Sequence, residues 1–187
     1  ADRLNRLVGD LLAYARPVTP QASTIDVATM VRGAVDLART AAARGDEVSY
    51  DMQMASETLT VQGDIDLLRQ ALVNVADNAL QAMPDSGTLT VRTYETTLEG
   101  NPAVAIAFRD TGEGMDTLVR AKASDPFFTT RPTGTGLGLA IVHRLITSHG
   151  GKVQIESSYG SGTTVILILP VRATTSAPFE PDQELME

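Results

Sequence analysis

The chain has 187 residues, 43% of them hydrophobic, enough for one domain with a real core and an appendage. Its net charge of −8, from 23 acidic and 15 basic residues, disfavours nonspecific nucleic-acid binding, which needs Lys and Arg to neutralise phosphates. The absence of cysteine excludes disulfides, thiol catalysis and zinc fingers, and no run of apolar residues approaches membrane-spanning length.

Neither a signal peptide nor an internal repeat is visible. Ala1 falls in the middle of a helical pattern, so a fragment of a longer protein is expected. That pattern puts Leu4, Leu7, Val8, Leu11, Leu12 and Ala15 on one face, and Arg16-Pro17 ends it, because the residue before proline leaves the helical region. Two readings stay open: an amphipathic helix lying on its own domain, or a near-heptad seam for a coiled-coil or bundle partner. A short strand at 23–26 precedes a helix over 27–43, stopped by Arg44-Gly45. Strands follow at 47–53 and 59–62. The next helix runs from Asp64, as N-cap, to Met83, where Pro84-Asp85-Ser86-Gly87 breaks it. Strands at 88–94 and 103–109 flank a polar turn, Glu99-Gly100-Asn101-Pro102. A glycine-rich loop then opens a helix that ends near Ser148. Strands at 152–157 and 163–169 close the chain around the turn Tyr159-Gly160-Ser161-Gly162. The expected class is α/β (α+β), a two-layer sandwich whose mixed sheet is covered on one face by three helices. The expected division is a helix remnant at 1–17, a domain at 18–172 and an acidic tail at 173–187.

The glycine-rich loop Gly134-Thr135-Gly136-Leu137-Gly138 is the most informative feature. Alternate glycines let backbone N–H groups approach a ligand, and the helix behind adds unpaired N–H groups and a positive dipole end, which suits a phosphate chain. It is no P-loop, since the one Gly-Lys, Gly151-Lys152, is followed by Val153. It is no dinucleotide fingerprint either. Thr129-Thr130-Arg131-Pro132-Thr133 replaces the required strand, although Glu156 lies where a ribose-binding acid belongs.

In the Asp64–Met83 helix, Leu68, Ala71, Leu72, Val75, Ala76 and Ala79 form an apolar arc, while Gln70, Asn74, Asn78 and Gln81 form a narrow polar stripe. Asparagine is a mediocre helix former, so the stripe is a solvent face, a pair of structural hydrogen bonds, or a set of amide oxygens for a hard cation such as Mg²⁺. Asp110, at a strand end before Thr111-Gly112-Glu113-Gly114, is a turn former or the acceptor for an exocyclic adenine amine. Gly160-Ser161-Gly162-Thr163 reads by default as a hairpin turn.

In order and spacing these elements resemble the catalytic, ATP-binding domain of two-component sensor histidine kinases. The asparagine box is residues 72–82, the first glycine box 110–114, the phenylalanine box 125–130, the second glycine box 134–138 and the third 160–162. The resemblance covers about residues 64–170 and implies the Bergerat-type ATP sandwich of gyrase, mismatch-repair and chaperone ATPases. It implies that Asn78 binds Mg²⁺, Asn74 lies near the phosphates, Asp110 reads adenine N6, and the backbone from Thr135 through Gly136, Leu137 and Gly138 to Leu139 contacts phosphates. Gly112, Gly114, Met115 and Thr163 complete the expected nucleotide contacts. Residues 115–133 become a mobile lid, and Arg131, with Asn74, is the expected catalytic residue, facing the γ-phosphate. Ser124 departs from the pattern, standing where relatives often carry a first phenylalanine.

The implied reaction moves the γ-phosphoryl of Mg-ATP to a histidine on a dimerisation helix outside this chain, for relay to a response-regulator aspartate. Residues 10–17 resemble the end of the second dimerisation helix, so the expected partners are those helices, a response regulator and a second copy in the full-length protein. Cytoplasmic placement is expected, without nucleic-acid or membrane contact by this piece and with anchoring of the whole protein left open. His149 is expected as a helix-terminus residue and His143 as packing or surface. A conformational ATPase and a nucleotide-sensing module without turnover are the alternatives. In the ATPases a Glu one turn before the metal-binding Asn activates water. Here Asn74 takes that place, and Asp77, rotated about 100° per residue, is expected to lie away from Asn74's row.

Overall fold

The computed structural model describes residues 8, 9, 11, 12, 14, 15, 18–42, 48–55, 58–132 and 134–171. Leu4 and Leu7, the Arg16-Pro17 and Arg44-Gly45 stops, Thr133 and the acidic tail lie outside them.

The elements run β1 (Ser23–Asp26), α1 (Val27–Ala42), β2 (Val48–Gln53), β3 (Thr60–Gly63), α2 (Ile65–Ala82), β4 (Gly87–Leu98) and β5 (Asn101–Asp110). They continue with α3 (Thr117–Lys122), α4 (Gly138–Ser148), β6 (Lys152–Ser157) and β7 (Thr163–Pro170). Five strands form one mixed sheet in the order β2-β4-β5-β7-β6, in which only β2 and β4 pair in parallel. The sequence does not reveal that β1 and β3 leave this sheet to form their own antiparallel pair.

Alternation decides which face of the sheet is covered. Val104, Ile106 and Phe108 of β5 and Val165, Leu167 and Leu169 of β7 join one core with Leu89 and Val91 of β4. α1, α2 and α4 supply the other half of that core, and α2 packs between the other two. Leu68 and Leu72 of α2 are each 1% exposed, and burying each side chain contributes about 2 kcal/mol. The opposite face of β5 and β7 holds only a small cluster around Ala103, Ala105 and Ile168.

The β4–β5 hairpin is longer than its sequence implies. Glu99 (φ 51°) and Gly100 (φ 81°) are both left-handed, as a two-residue type I′ turn requires, and Leu98 pairs directly with Asn101. The polar tips 95–98 and 101–102 therefore remain strand. α3 is an addition within the expected lid: Asp116 caps it by accepting from Val119 N at 2.8 Å, but it buries no residue and is too short to leave a periodicity.

Among the described residues of the N-terminal segment, Val8, Leu11 and Leu12 are exposed, so the domain does not cover their seam. Tyr14 instead reaches the core, with its ring 5.6 Å from the Arg144 guanidinium of α4.

Candidate nucleotide-binding site

Asp64 starts α2 by accepting from Asp66 N and Leu67 N at 3.1 and 3.2 Å, and its cap fixes which side chains face the sheet. With the apolar arc buried, Asn74, Asp77, Asn78 and Gln81 line a cavity of about 530 Å³ beside the helix. Asp77 therefore corrects the expectation that it lies away from Asn74. Three residues advance a helix by about 300°, which is 60° from a full turn, so positions 74, 77, 78 and 81 share a face. Among the described residues, the Asn78 amide is the one buried side-chain amide with an unsatisfied end, and its Nδ2 lies against Gly138, where a Cβ would stand 3.2 Å away.

Asp110, 4% exposed, stands in the wall of the same cavity at the end of β5. Its Oδ1 accepts from Gly112 N at 2.9 Å and Thr163 N at 3.1 Å. Burial pushes its carboxyl above the usual range, opposed by these two amides and by the Arg131 charge. The first and third glycine boxes are built against each other. Gly114 (φ 68°) abuts the Ser158 carbonyl, and Gly162 (φ 79°) abuts the carbonyl of Asp110 so closely that no Cβ fits. Ser157 ties them further: its hydroxyl accepts from Met115 N at 2.8 Å and donates to the Gly162 carbonyl at 3.0 Å. The turn at 160–163 is thus a hairpin turn and also the clamp behind Asp110.

α4 begins at the other end of the cavity. Leu137 occupies its N-cap without a side-chain cap hydrogen bond, its own N–H donates to Thr135 Oγ1 at 3.4 Å, and no acid lies in the first turn. Gly136 meets a second demand beyond ligand approach: its φ of 70° and its contact with the Phe127 backbone both exclude a side chain. Phe127 is itself left-handed (φ 66°) and 58% exposed, a strained posture costing about 1–3 kcal/mol, whereas Phe128 lines the cavity. Ser124 is half-buried.

Arg131 reaches back across the cavity rim. Its Nη1 donates to Gln81 Oε1 at 3.1 Å and its Nη2 to the Asn78 carbonyl at 3.3 Å. His149 closes α4 at 5% exposure, well away from this cavity. A carbonyl can only accept, so Nδ1 donates to the Leu145 oxygen at 2.7 Å and Nε2 accepts from Asp64 N at 3.0 Å. Burial lowers its pKa, while the Leu145 carbonyl and Asp64 act the other way. His143 is exposed.

The structure brings Asn74, Asn78, Asp110, Gly114, Met115, Arg131, Thr135, Gly136, Gly138, Leu139 and Thr163 to one cavity. Gly112 and Leu137 are not in its wall. Gly112 packs against the Ala82 carbonyl, where a Cβ would come within 2.5 Å, and the Leu137 side chain is fully buried in the core. Sequence reasoning missed Asp77, Phe128 and Tyr159 as lining residues. The i, i+3 spacing from Asn74 would have found Asp77, whereas no local pattern brings Tyr159 to the site.

The family described as "Histidine kinase-, DNA gyrase B-, and HSP90-like ATPase" matches residues 63–173. The sensor histidine kinase ZraS of Escherichia coli K12 is 36% identical over 182 residues, covering 95% of this chain and 37% of its own. The histidine-protein kinase AtoS of the same organism is 34% identical over 170 residues, covering 91% and 27%. Among solved structures, full-length ShkA in complex with AMPPNP superposes with a TM-score of 0.77 at 28% identity, covering 94% of this chain and 37% of that one. The mycobacterial sensor histidine kinase MprB gives 0.71 at 26%, covering 82% and 100%. This chain spans about a third of the length of the curated kinases it matches. The chain therefore belongs to the histidine kinase-, DNA gyrase B- and HSP90-like ATPase family.

Proposed function

We propose that residues 18–172 bind Mg-ATP and transfer its γ-phosphoryl to a histidine on a dimerisation helix, for relay to a response-regulator aspartate. By sequence, residues 1–17 correspond to the end of that helix pair and 173–187 to an acidic tail. The observation that carries the reading is Asp110, a carboxylate buried in the cavity wall with one oxygen already committed to two amides. A buried carboxylate kept this way needs a donor for its other oxygen, and the adenine amine is one, whereas guanine presents a carbonyl at that edge. Gly114, Met115 and Thr163 frame the base, and the backbone of 135–139 with the α4 N-terminus receives the phosphates.

Asn78 is the residue that would hold Mg²⁺. The described residues contain no group of three or more His, Cys, Asp or Glu for a metal, so a cation there would take its other oxygens from phosphate and water, as Mg²⁺ prefers. The bound ion supplies charge neutralisation to the transferring phosphoryl group. The chain's own contribution is positioning: amides and Asn74 along the phosphates, and Arg131 toward the terminal one. As the incoming imidazole nitrogen bonds to the γ-phosphorus, the bond to the bridging oxygen breaks and ADP leaves. Imidazole is itself a nucleophile and requires no carboxylate base.

In the longer protein, a second copy covers the exposed Val8, Leu11 and Leu12 seam, as a helical bundle would. The domain works in the cytoplasm.

Radiolabelled ATP tests the transfer. Label is expected on a separately supplied two-helix acceptor domain from the intact kinase and not on this chain. Stable label on His143 or His149 would refute it. Hydrolysis is the second reading, favoured by one observation: Asp77 brings a carboxylate into the cavity. Rapid phosphate release by the chain alone, abolished by Asp77→Asn, would select it.

A further inference from the structure

Three side chains from α2 and the lid make one hydrogen-bonded chain with a single workable polarity. Gln81 Nε2 donates to Asp77 Oδ2 at 2.6 Å, Gln81 Oε1 accepts from Arg131 Nη1 at 3.1 Å, and Arg131 Nη2 donates to the Asn78 carbonyl at 3.3 Å. An ionised carboxylate only accepts and a guanidinium only donates. The amide between them must therefore turn its NH₂ toward Asp77 and its oxygen toward Arg131. Without Asp77 the amide is free to rotate and present NH₂ to the guanidinium, donor against donor. Residues 77 and 81 are one helical turn apart, so α2 itself sets their spacing, and 50 residues separate Gln81 from its lid partner.

The choice of partners also preserves the charge. Arg131 is bonded to an amide oxygen and a backbone carbonyl, both neutral, and the carboxylate stands one link further away. Direct pairing with Asp77 would fix the guanidinium but neutralise it. The observed relay fixes its direction and leaves its charge for an anion in the cavity, which all four residues line.

We propose that Asp77 and Gln81 are positioning residues that aim Arg131 at the terminal phosphate and thereby set the preference of the site for triphosphate over diphosphate. This rests on the reading of Arg131 as the γ-phosphate partner. The relay acts through orientation alone, so its loss lowers affinity for ATP and leaves that for ADP unchanged.

Isothermal titration of the chain with Mg-ATP and with Mg-ADP measures the ratio of the two affinities. Gln81→Ala and Asp77→Ala each lower that ratio about three- to ten-fold, the scale of one lost hydrogen bond, with ADP affinity and melting temperature held. Adding either change to Arg131→Ala lowers it no further, because the three residues act as one unit. Asp77→Asn, which keeps an acceptor oxygen, recovers most of the ratio. Loss of ATP and ADP affinity alike, or effects that add to that of Arg131→Ala, would overturn the relay. An unchanged ratio in Gln81→Ala beside a lowered ratio in Arg131→Ala overturns the relay and leaves the phosphate role of Arg131 standing. An unchanged ratio in Arg131→Ala removes that role, and the proposal with it.

Discussion

Asp110→Asn separates recognition from folding more cleanly than any truncation. The asparagine oxygen can still accept from Gly112 N and Thr163 N, so the clamp between the first and third glycine boxes survives. What changes is the other end of the group: a carboxylate oxygen becomes NH₂, which under the proposed reading opposes the adenine amine, donor to donor. A hydrogen bond to a charged acceptor is worth about 1.5–3 kcal/mol, so ATP affinity should fall about ten- to 150-fold, and the preference over GTP should vanish. Stability should move the opposite way. Burial raises the folded pKa of Asp110, so the folded state binds more protons than the unfolded one from the ordinary value of 3.8 up to that raised value. The cost of burying the charge therefore builds up as pH rises from 3.8 through the folded pKa and is complete above it, and the variant is relieved of it at neutral pH. Calorimetric titration with ATP and GTP, paired with thermal melts between pH 4 and 8, measures both. The advantage of the variant in melting temperature should shrink toward pH 4. Unchanged ATP affinity, or weakened binding accompanied by a lower melting temperature at pH 7, would refute the assignment.

His149→Ala should destabilise the domain by about 2–4 kcal/mol, since it removes the acceptor for Asp64 N and leaves a hole against Gly63. In the wild type, the lowered folded pKa keeps this contribution intact above 6.5, and it is lost as pH falls from there toward the folded value. Denaturant titrations at several pH values should show that slope only while His149 is present. Gly162→Ala should cost more than about 1 kcal/mol, because φ is 79° and its Cβ meets the Asp110 carbonyl; a change within about 0.5 kcal/mol in denaturation midpoint energy would contradict the clamp. Gly138→Ala, whose Cβ meets only the Asn78 amide at 3.2 Å, should weaken phosphate binding while sparing the fold. Hydrogen exchange should show weak protection over 115–132 without nucleotide and with ADP, rising with a nonhydrolysable ATP analogue, since α3 buries no residue; uniform protection in every state would argue for a fixed loop.

The sequence alone determined the chemical vocabulary of the site and the faces that carry it. Asn74 and Asn78 stand on one helical row, Asp110 ends an alternating strand, and glycines recur at 112, 114, 134, 136, 138, 160 and 162. Covalent spacing fixes these relations within one element, so they are legible before any packing is known. Even Asp77 was legible there, once three residues are counted as nearly a full turn. Tertiary structure decided the rest. It turned Gly162 and Gly112 into packing glycines against the carbonyls of Asp110 and Ala82, and sent β1 and β3 into a separate pair. It joined Gln81 to Arg131 across 50 residues and His149 to Asp64 across 85. Such contacts arise where elements distant in sequence meet, and neither helical nor strand period carries information about which residues those will be.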